Sequence, residues 1–491
     1  ITPASAAILS TVAVGDLLGN GITDIVAATM DGHVYAWDNQ GILLPGFPVH
    51  INYGYSDLFT NTTLRNNVLQ SLNCNTSTDP KCAPNPQNDL PDHAILASPV
   101  LYSAGSKGLD IIVAAEDQHV YIWDGTGTLI TDFAVYNKNV PYYRQYTRIL
   151  STPAVGDILG NGSVQIALGT NEVYNGATQA YVMNTDGTYA PGWPKQISAL
   201  YASILPYIGI GIPTSPVVFP YGSGPGLKVA FNPVSSEPVI FNPDGSVFQH
   251  VAGTFPANAD TSETQELTMI SNMAAGSLSG GDTQLLYGAI GLHILNMEAN
   301  GALREPFDHL VSVWDVNNNA YAQNFPRDIE DWQMLNNPAI ADINGNGMPD
   351  VIEGSAGYQV WAWNADGTIP TGWPKFTGGW ILASAAVGNV DTKSNASAPN
   401  AIQWADFHHD LWHTGNSQTA LPVRNGRLAI AAATREGYLY LWKAPGSNSG
   451  SSGGCSCNTT GSTHASDIML SLFIGIMPVL FLLFFKRKKK V

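Results

Sequence analysis

Residues 337–355, NPAIADINGNGMPDVIEGS, carry the pattern that decides the fold of this chain. Two short apolar runs, typical of β-strands, flank a loop in which Gly345 and Gly347 allow the positive φ of a tight turn. A third apolar run, QVWAW at residues 359–363, follows and ends at another glycine turn. The stretch therefore predicts an antiparallel sheet of short strands.

The same unit recurs along the chain. Its first two strands have further copies at residues 10–29, 97–116, 151–170, 214–232, 272–290 and 383–395, the last separated by an insertion from its partner strand. Its third strand recurs with seven aromatic or apolar anchors: Trp37, Trp123, Met183, Phe241, Leu295, Trp363 and Trp442. A Gly-Pro exit follows the third strand at residues 45–48, 191–194 and 371–374.

Stacking of these units predicts the architecture. One unit cannot bury both faces of its sheet, whereas seven stacked units close a ring without a free edge. We therefore expect an all-β fold, a seven-bladed β-propeller, over residues 1–445 with an insertion at about 50–92. An open solenoid and a pair of β-sandwiches are the alternatives.

Composition and charge narrow the class of protein. With 44% hydrophobic residues the 491-residue chain is too apolar for disorder, and Glu, Lys and Leu are too scarce for a coiled coil. Five of the 21 basic residues form the run 486–490, so the part before Ile468 carries 16 basic and 38 acidic residues, a net charge of −22. Such a head lacks the basic footprint of a nucleic-acid-binding protein.

The C-terminal end predicts a membrane anchor. Residues 446–467 form a Gly/Ser-rich stalk, and residues 468–485 are 18 uncharged residues, enough for a single transmembrane helix. The basic tail, residues 486–491, favours a cytoplasmic C-terminus and an extracellular head at the plasma membrane. A buried core helix is the alternative. The chain begins at Ile1 without a visible signal peptide, so we expect a processed chain or a fragment.

Further features agree with an extracellular head. Glycosylation sequons lie at Asn61, Asn75, Asn161, Asn395 and Asn458. Cys74 and Cys82 bracket a short polar loop and predict a local disulfide in an oxidising compartment. Cys455 and Cys457 in the stalk are able to pair with each other, pair between chains or stay free. The insertion around residues 50–92 is the longest candidate for a recognition loop.

The loop pattern D-x-[ND]-G-[ND]-G-x-x-D, set between two strands, resembles the FG-GAP/VCBS repeat family, which includes the integrin α-subunit propeller. The resemblance covers roughly residues 10–444 and implies calcium as a structural cofactor. In the best copy, residues Asp342, Asn344, Asn346 and Asp350 occupy positions 1, 3, 5 and 9 of a calcium loop, and the Met348 carbonyl adds a ligand at position 7. The alternative is a Gly-Asn turn held by its own side-chain hydrogen bonds.

Two other copies of this loop have lost ligands. In the first, Asp16, Asn20 and Asp24 fit the calcium positions, but Leu18 replaces the oxygen ligand at position 3. In the loop that begins at Asp157, both position 3 and position 9 depart from the pattern. We expect any calcium to stiffen blades and to take no part in catalysis.

The stretch 404–415, WADFHHDLWHTG, is the densest polar and aromatic cluster. His408, His409, Asp410 and His413 are residue types that bind transition metals. Similar segments in FG-GAP-like chains precede a last blade, which favours a structural insertion packed by Trp404, Phe407 and Trp412. A contact with a partner is the third interpretation. The mixed-charge stretch 298–335 is interpreted as an ordinary solvated connection, with an ion-pair network and a partner surface as the alternatives.

The sequence predicts no catalytic residue, because neither H-E-x-x-H nor C-x-x-C-H is present. We expect a non-enzymatic, membrane-anchored extracellular propeller that serves as a binding, adhesion or scaffold module for a surface protein, a glycan or a subunit of a membrane complex. One alternative is an accessory or catalytic ectodomain of a membrane enzyme complex. Another is a subunit of a surface lattice or filament.

Overall fold

Short β-strands joined by glycine turns run through the described part of the chain. The computed structural model describes residues 3–443 except 5, 53–92, 104–107, 137–145, 175–178, 198–200, 205–206, 235, 269, 292–307, 334–335, 390–401, 422–427 and 437. All regular elements in this part of the chain are β-strands, numbered β1 to β34. The predicted all-β class is therefore confirmed.

Seven antiparallel sheets, the blades, follow one another along the chain. Blades 1 to 3 are β1 (Ala13–Gly15), β2 (Asp24–Ala28), β3 (His33–Trp37) and β4 (Val49–His50); β5 (Val100–Tyr102), β6 (Asp110–Ala114), β7 (His119–Trp123) and β8 (Leu129–Ala134); and β10 (Ala154–Gly156), β11 (Gln165–Gly169), β13 (Gln179–Asn184) and β14 (Lys195–Gln196). Blades 4 and 5 are β17 (Val217–Pro220), β18 (Leu227–Phe231), β19 (Val239–Phe241) and β20 (Val247–His250); and β22 (Ala274–Gly276), β23 (Gln284–Gly291), β24 (His309–Asp315) and β25 (Ala320–Tyr321), extended by β21 (Glu266–Thr268) and β26 (Arg327–Ile329). Blades 6 and 7 are β27 (Ala339–Ala341), β28 (Asp350–Ser355), β29 (Gln359–Trp363) and β30 (Lys375–Phe376), joined by β32 (Ile402–Trp404); and β31 (Ala386–Asn389), β33 (Leu428–Ala433) and β34 (Leu439–Lys443).

Strand alternation gives each blade two apolar faces. Successive side chains of a strand point to opposite faces, so Val26 of β2 lies on one face and Ile25 on the other. In each blade, we call the face that carries Val26 or its equivalent the leading face, because it packs on the following blade. The face that carries Ile25 or its equivalent is the trailing face. Leading residues of blade 1 and trailing residues of blade 2, such as Val26 and Ile111, share one buried cluster. Equivalent clusters join blade 2 to 3, 3 to 4, 4 to 5 to 6, and 6 to 7. The predicted seven-bladed β-propeller is thus confirmed.

The aromatic anchors lie at the end of the third strand of their blades. Four blades repeat a stacked pair two residues apart on this strand, with rings 5.3–5.6 Å apart: Tyr35–Trp37, Tyr121–Trp123, Trp361–Trp363 and Tyr440–Trp442. These rings cover the trailing face, where each fully buried large side chain contributes about 1.5–3 kcal/mol.

Two predictions about blade 5 are wrong. Its anchor is Trp314, which pairs with Leu285 as Trp37 pairs with Ile25, whereas Leu295 lies outside the described residues. The stretch 298–335 is therefore more than a solvated connection, since it supplies β24, β25 and β26. Sequence reasoning chose the nearest apolar run after β23, but the strand that pairs with β23 comes later in the chain.

An extra sheet lies at one end of blade 3. It consists of β9 (Tyr146–Arg148), β12 (Asn171–Tyr174), β15 (Tyr201–Ile204) and β16 (Tyr207–Gly211). The sheet continues beyond the C-terminal end of β11, whereas the loop 157–165 precedes β11. It therefore lies on the opposite side of the ring from the Asp/Asn loops.

Several predictions concern residues that the structure does not describe. The predicted disulfide Cys74–Cys82, the stalk cysteines, the segment 468–485 and the sequons at Asn61, Asn75, Asn395 and Asn458 lie outside the described residues. Asn161 is described and lies exposed in its loop. Within the described ranges, no helix is long and apolar enough to cross a membrane.

Candidate functional site

The centre of the ring is filled by the chain itself. The first strand of each blade has a free edge toward this centre, and such edges need hydrogen-bond partners. We call residues 402–419 the channel segment. Its carbonyl groups accept hydrogen bonds from backbone N–H groups of blades 1 to 4 at 2.7–2.9 Å: Val14 to Leu411, Leu101 to Trp412, Val155 to Thr414 and Val218 to Gly415.

The same segment also contacts blades 5 to 7. The Gln403 side chain accepts from Ser277 N at 2.6 Å and donates to Ser277 O at 3.0 Å, just after the first strand of blade 5. Trp404 pairs with Ile340 of blade 6, and Ala405 O accepts from the N–H of Val387 in blade 7 at 2.6 Å. The channel segment therefore contacts the inner strand region of every blade, which supports the structural interpretation of this stretch.

Backbone carbonyl oxygens lie within hydrogen-bond distance of ring nitrogens in two histidines of the channel segment. His408 Nδ1 lies 2.7 Å from His413 O, and Nε2 lies 2.8 Å from Pro216 O. His413 Nδ1 lies 2.9 Å from Pro99 O. Burial lowers the pKa of both rings, that of His408 to about 4, and outweighs the carbonyl contacts that favour the protonated form. Within the described residues, no group of three or more His, Cys, Asp or Glu side chains is placed to hold a metal ion.

Asp410 organises the turn of the channel segment. Its carboxylate contacts His409 Nδ1 at 2.8 Å and accepts from Trp412 N at 2.8 Å and Thr414 Oγ1 at 2.5 Å. Burial alone would raise the pKa of Asp410, but these hydrogen bonds and the charge of His409 keep it below its ordinary value. His408, His409 and His413 all have positive φ. That conformation is costly for residues other than glycine and persists where the surroundings hold it.

The predicted calcium loop of blade 6 is closed by its own hydrogen bonds. Asp342 accepts from the backbone of Gly345, Asn346 and Gly347 at 2.7–3.0 Å. Asp350 is fully buried and accepts from Ile343 N at 2.9 Å and from the Asn344 amide at 3.1 Å. Asn346 accepts from Met348 N at 2.7 Å, and Met348 is partly exposed.

The loops with fewer ligands take the same shape. Asp16 accepts from Asn20 N and Gly21 N, Asp24 accepts from Leu17 N, and Asp157 accepts from the backbone of residues 161 and 162. The turn therefore forms without the full calcium ligand set. Blade 6 alone among the three loops keeps an oxygen-bearing side chain at all of positions 1, 3, 5 and 9, a donor chemistry that suits Ca²⁺.

A cleft of about 690 Å³ lies where the channel segment meets the loops of blades 5 and 6. Blade 5 contributes its loop from Gly280 to Thr283, and blade 6 contributes Asp342 and Pro349. The channel segment contributes Gln403, His409, Ser417 and Thr419. The structure thus brings two stretches that the sequence singled out, the calcium loop and the histidine cluster, to one cleft.

Sequence reasoning missed two carboxylates, the partly buried Glu266 and the buried Glu353. Glu266 accepts from the hydroxyls of Tyr287, at 2.7 Å, Tyr321, at 3.1 Å, and Ser312, and burial raises its pKa. Glu353 is buried on β28, and neither carboxylate oxygen has a hydrogen-bond partner within the described part of the chain. Burial raises the pKa of Glu353 well above its ordinary value. Glu353 directly follows the apolar residues Val351 and Ile352 of a predicted strand. An acid at such a position was the sequence signal that could have identified it.

Solved structures of low identity resemble this chain. The Dos1 propeller is 12% identical, with 77% of this chain and 72% of that chain covered and a TM-score of 0.42. BBS1N in complex with ARL6DN is 12% identical, with 70% and 79% covered and a TM-score of 0.38. The computationally designed Ika8 protein is 11% identical, with 90% and 86% covered and a TM-score of 0.42. No protein-family model and no curated protein matches the chain. The seven sheets around a filled channel define it as a seven-bladed β-propeller.

Proposed function

We propose that this chain is a membrane-anchored extracellular propeller that binds a protein partner and acts as a scaffold at the cell surface. The observation that carries the proposal is the channel segment. Because residues 402–419 occupy the centre of the ring and contact every blade, the channel is closed to a partner, and we place binding on the loop faces. Loops on a rigid scaffold are where recognition commonly lies.

The cleft beside the channel segment is the docking point that we propose. It is concave, and polar side chains that offer both donors and acceptors share its lining with apolar ones such as Ile402 and Leu421. Its walls come from blades 4, 5 and 6 and from the channel segment, so hydrogen bonds across the ring hold its shape. A preformed surface of this kind loses little conformational entropy on binding.

The anchor and the family resemblance complete the proposal. The uncharged segment 468–485 and the basic tail 486–491 support a single-pass protein with its head outside the cell. The Asp/Asn loops support membership among FG-GAP/VCBS-like propellers with structural calcium. We propose no catalytic role for this chain.

The test is recovery of partners from native membranes in a gentle detergent, with mass spectrometry of the proteins and cofactors that accompany the chain. Asp282→Lys places a cation at the cleft, and Asp132→Lys on β8 is the matched control on another blade. We expect a stoichiometric protein partner with the wild type and Asp132→Lys, and its loss with Asp282→Lys.

Two results would contradict the proposal. Retention of the same partner by Asp282→Lys would move binding away from the cleft. Stoichiometric recovery of an oxidoreductase or hydrolase with its cofactor would make the chain an accessory subunit of a membrane enzyme, which is the alternative function.

A further inference from the structure

The cleft beside the channel segment carries negative charge that no lining cation balances. Among the described residues that line it, Asp282 and Asp342 bear carboxylates, and none is lysine or arginine. The part of the chain before Ile468 is acidic as well. A positively charged group is therefore favoured in this cleft.

Asp282 has hydrogen-bonding capacity that the fold does not use. Within the described residues one hydrogen bond reaches its carboxylate, from Ser279 Oγ at 3.3 Å. Asp342 in the same cleft accepts three backbone hydrogen bonds. Carboxylates in the turns of other blades accept two each at 2.6–3.0 Å: Asp186, Asp244 and Asp366. Since a carboxylate accepts at about four positions, Asp282 is the lining carboxylate that a ligand is best able to use.

His409 adds a second acceptor to the cleft. The residue is only 1% exposed and lies in the cleft lining, and its Nδ1 is 2.8 Å from a carboxylate oxygen of Asp410. Asp410 also accepts from Trp412 N and Thr414 Oγ1, so it is placed to accept the proton of Nδ1 as well. With that proton on Nδ1, Nε2 of the neutral ring is an acceptor. No described residue donates a hydrogen bond to Nε2.

We propose that the cleft receives an arginine side chain of the protein partner, whose guanidinium group donates hydrogen bonds to Asp282 and to His409 Nε2. This inference rests on the proposed function, because it names the group of the partner that enters the cleft. A guanidinium group carries five N–H donors and no acceptor, and it pairs with a carboxylate through two parallel hydrogen bonds. It therefore matches an acidic cleft with unused acceptors.

The apolar part of the lining suits the rest of an arginine side chain. Pro220, Ile402 and Leu421 line the cleft together with the polar groups. Arginine buries its methylene stem against apolar surface while its charged end contacts polar groups. Its guanidinium group is also more weakly hydrated than the ammonium group of lysine, so it loses less on entering a partly enclosed site.

Isothermal titration calorimetry of the full-length chain in a non-ionic detergent tests the assignment. The probe is a capped peptide of alternating glycine and arginine. The control probe has citrulline, which keeps the shape of arginine without its charge, at every arginine position. All titrations contain the same concentration of calcium. We expect the wild type to bind the arginine peptide and to show no heat of binding with the citrulline peptide.

Three variants locate the binding. Asp282→Asn removes the charge at nearly constant size and should weaken binding of the arginine peptide by about tenfold. His409→Asn removes Nε2 and should weaken it several-fold, and asparagine tolerates the positive φ of this position. Asp186→Asn makes the same change as Asp282→Asn in a turn of blade 3 outside the cleft lining, and it should leave binding unchanged. Melting curves show whether each variant is folded, and the test stands on Asp282→Asn if His409→Asn is not.

Two results would overturn the assignment. One is equal binding of the arginine and citrulline peptides. The other is an equal effect of Asp282→Asn and Asp186→Asn, which would mean that the charge of the whole loop face, and not the cleft, attracts the peptide.

These failures are distinct from failure of the proposed function. If Asp282→Lys loses the partner from native membranes while the arginine peptide does not bind, the cleft docks a partner through another group. If the arginine peptide binds at the cleft and no partner is recovered from membranes, the proposed function is contradicted and the arginine assignment stands.

Discussion

Asp342 shows how one side chain serves a blade loop in two ways. It accepts three backbone hydrogen bonds, and it stands at position 1 of the proposed calcium site. We predict that a chelator lowers the melting temperature of the wild type and that Asp342→Ala abolishes the difference. Calcium at tenfold its dissociation constant adds about 1.4 kcal/mol to the free energy of unfolding. Differential scanning calorimetry with and without chelator measures it.

Asp157→Ala is the matched control for this prediction. Asp157 accepts the same kind of backbone hydrogen bonds in a loop that lacks the full ligand set. Its replacement should lower the melting temperature but leave the chelator effect intact. A wild type that melts identically with and without chelator would remove calcium from the description of blade 6.

His408 makes stability depend on pH. Burial lowers its pKa from 6.5 to about 4, so the unfolded state takes up a proton before the folded state does. Its contribution to stability is complete above pH 6.5 and is lost as the pH falls toward about 4. We predict that wild type loses more stability over this range than His408→Asn, by a few kcal/mol. Urea unfolding at a series of pH values measures the difference.

The comparison with His408→Asn is needed because Asp406 opposes the effect. Burial raises the pKa of Asp406 to about 6. A raised carboxyl pKa adds stability as the pH falls, and it does so equally in both proteins. Parallel pH profiles for wild type and His408→Asn would show that His408 does not titrate in this way.

At the scale of elements, the channel segment is the part that links the blades. Trp404 is fully buried and pairs with blade 6. We predict that Trp404→Ala lowers the free energy of unfolding by about 3–5 kcal/mol, the usual cost of removing a buried tryptophan. Phe376→Ala, which removes an aromatic residue from an exposed position, should change it by no more than about 0.5 kcal/mol. Equal losses in the two variants would contradict the role of Trp404.

Blades 5 and 7 show how far an element is predictable from local pattern. In blade 7 the partner strand of β31 was identified correctly across an insertion, because the run 428–434 matches the second strand of the other units. In blade 5 the third strand was assigned to the wrong run. Two apolar runs follow β23, and only packing in the ring decides which one pairs with it.

At the scale of the whole molecule, the anchor is the feature to test. We predict that the full chain stays in the membrane pellet during alkaline carbonate extraction, because the segment 468–485 partitions into hydrocarbon. A chain that ends at Asp467 should be released, and one that ends at Phe485 should be retained. Immunoblots of pellet and supernatant provide the measurement. Release of the full chain would contradict the anchor.

The sequence by itself determined the number of blades and, except for the third strand of blade 5, the strands that form them. These features depend on alternation with a period of two and on glycine turns, which are local. The tertiary structure decided the roles of particular side chains. His413 meets the carbonyl of Pro99 from 314 residues away, and His408 meets that of Pro216 from 192 away. Such contacts, like the cleft, follow from how the ring brings distant segments together, and no local pattern encodes them.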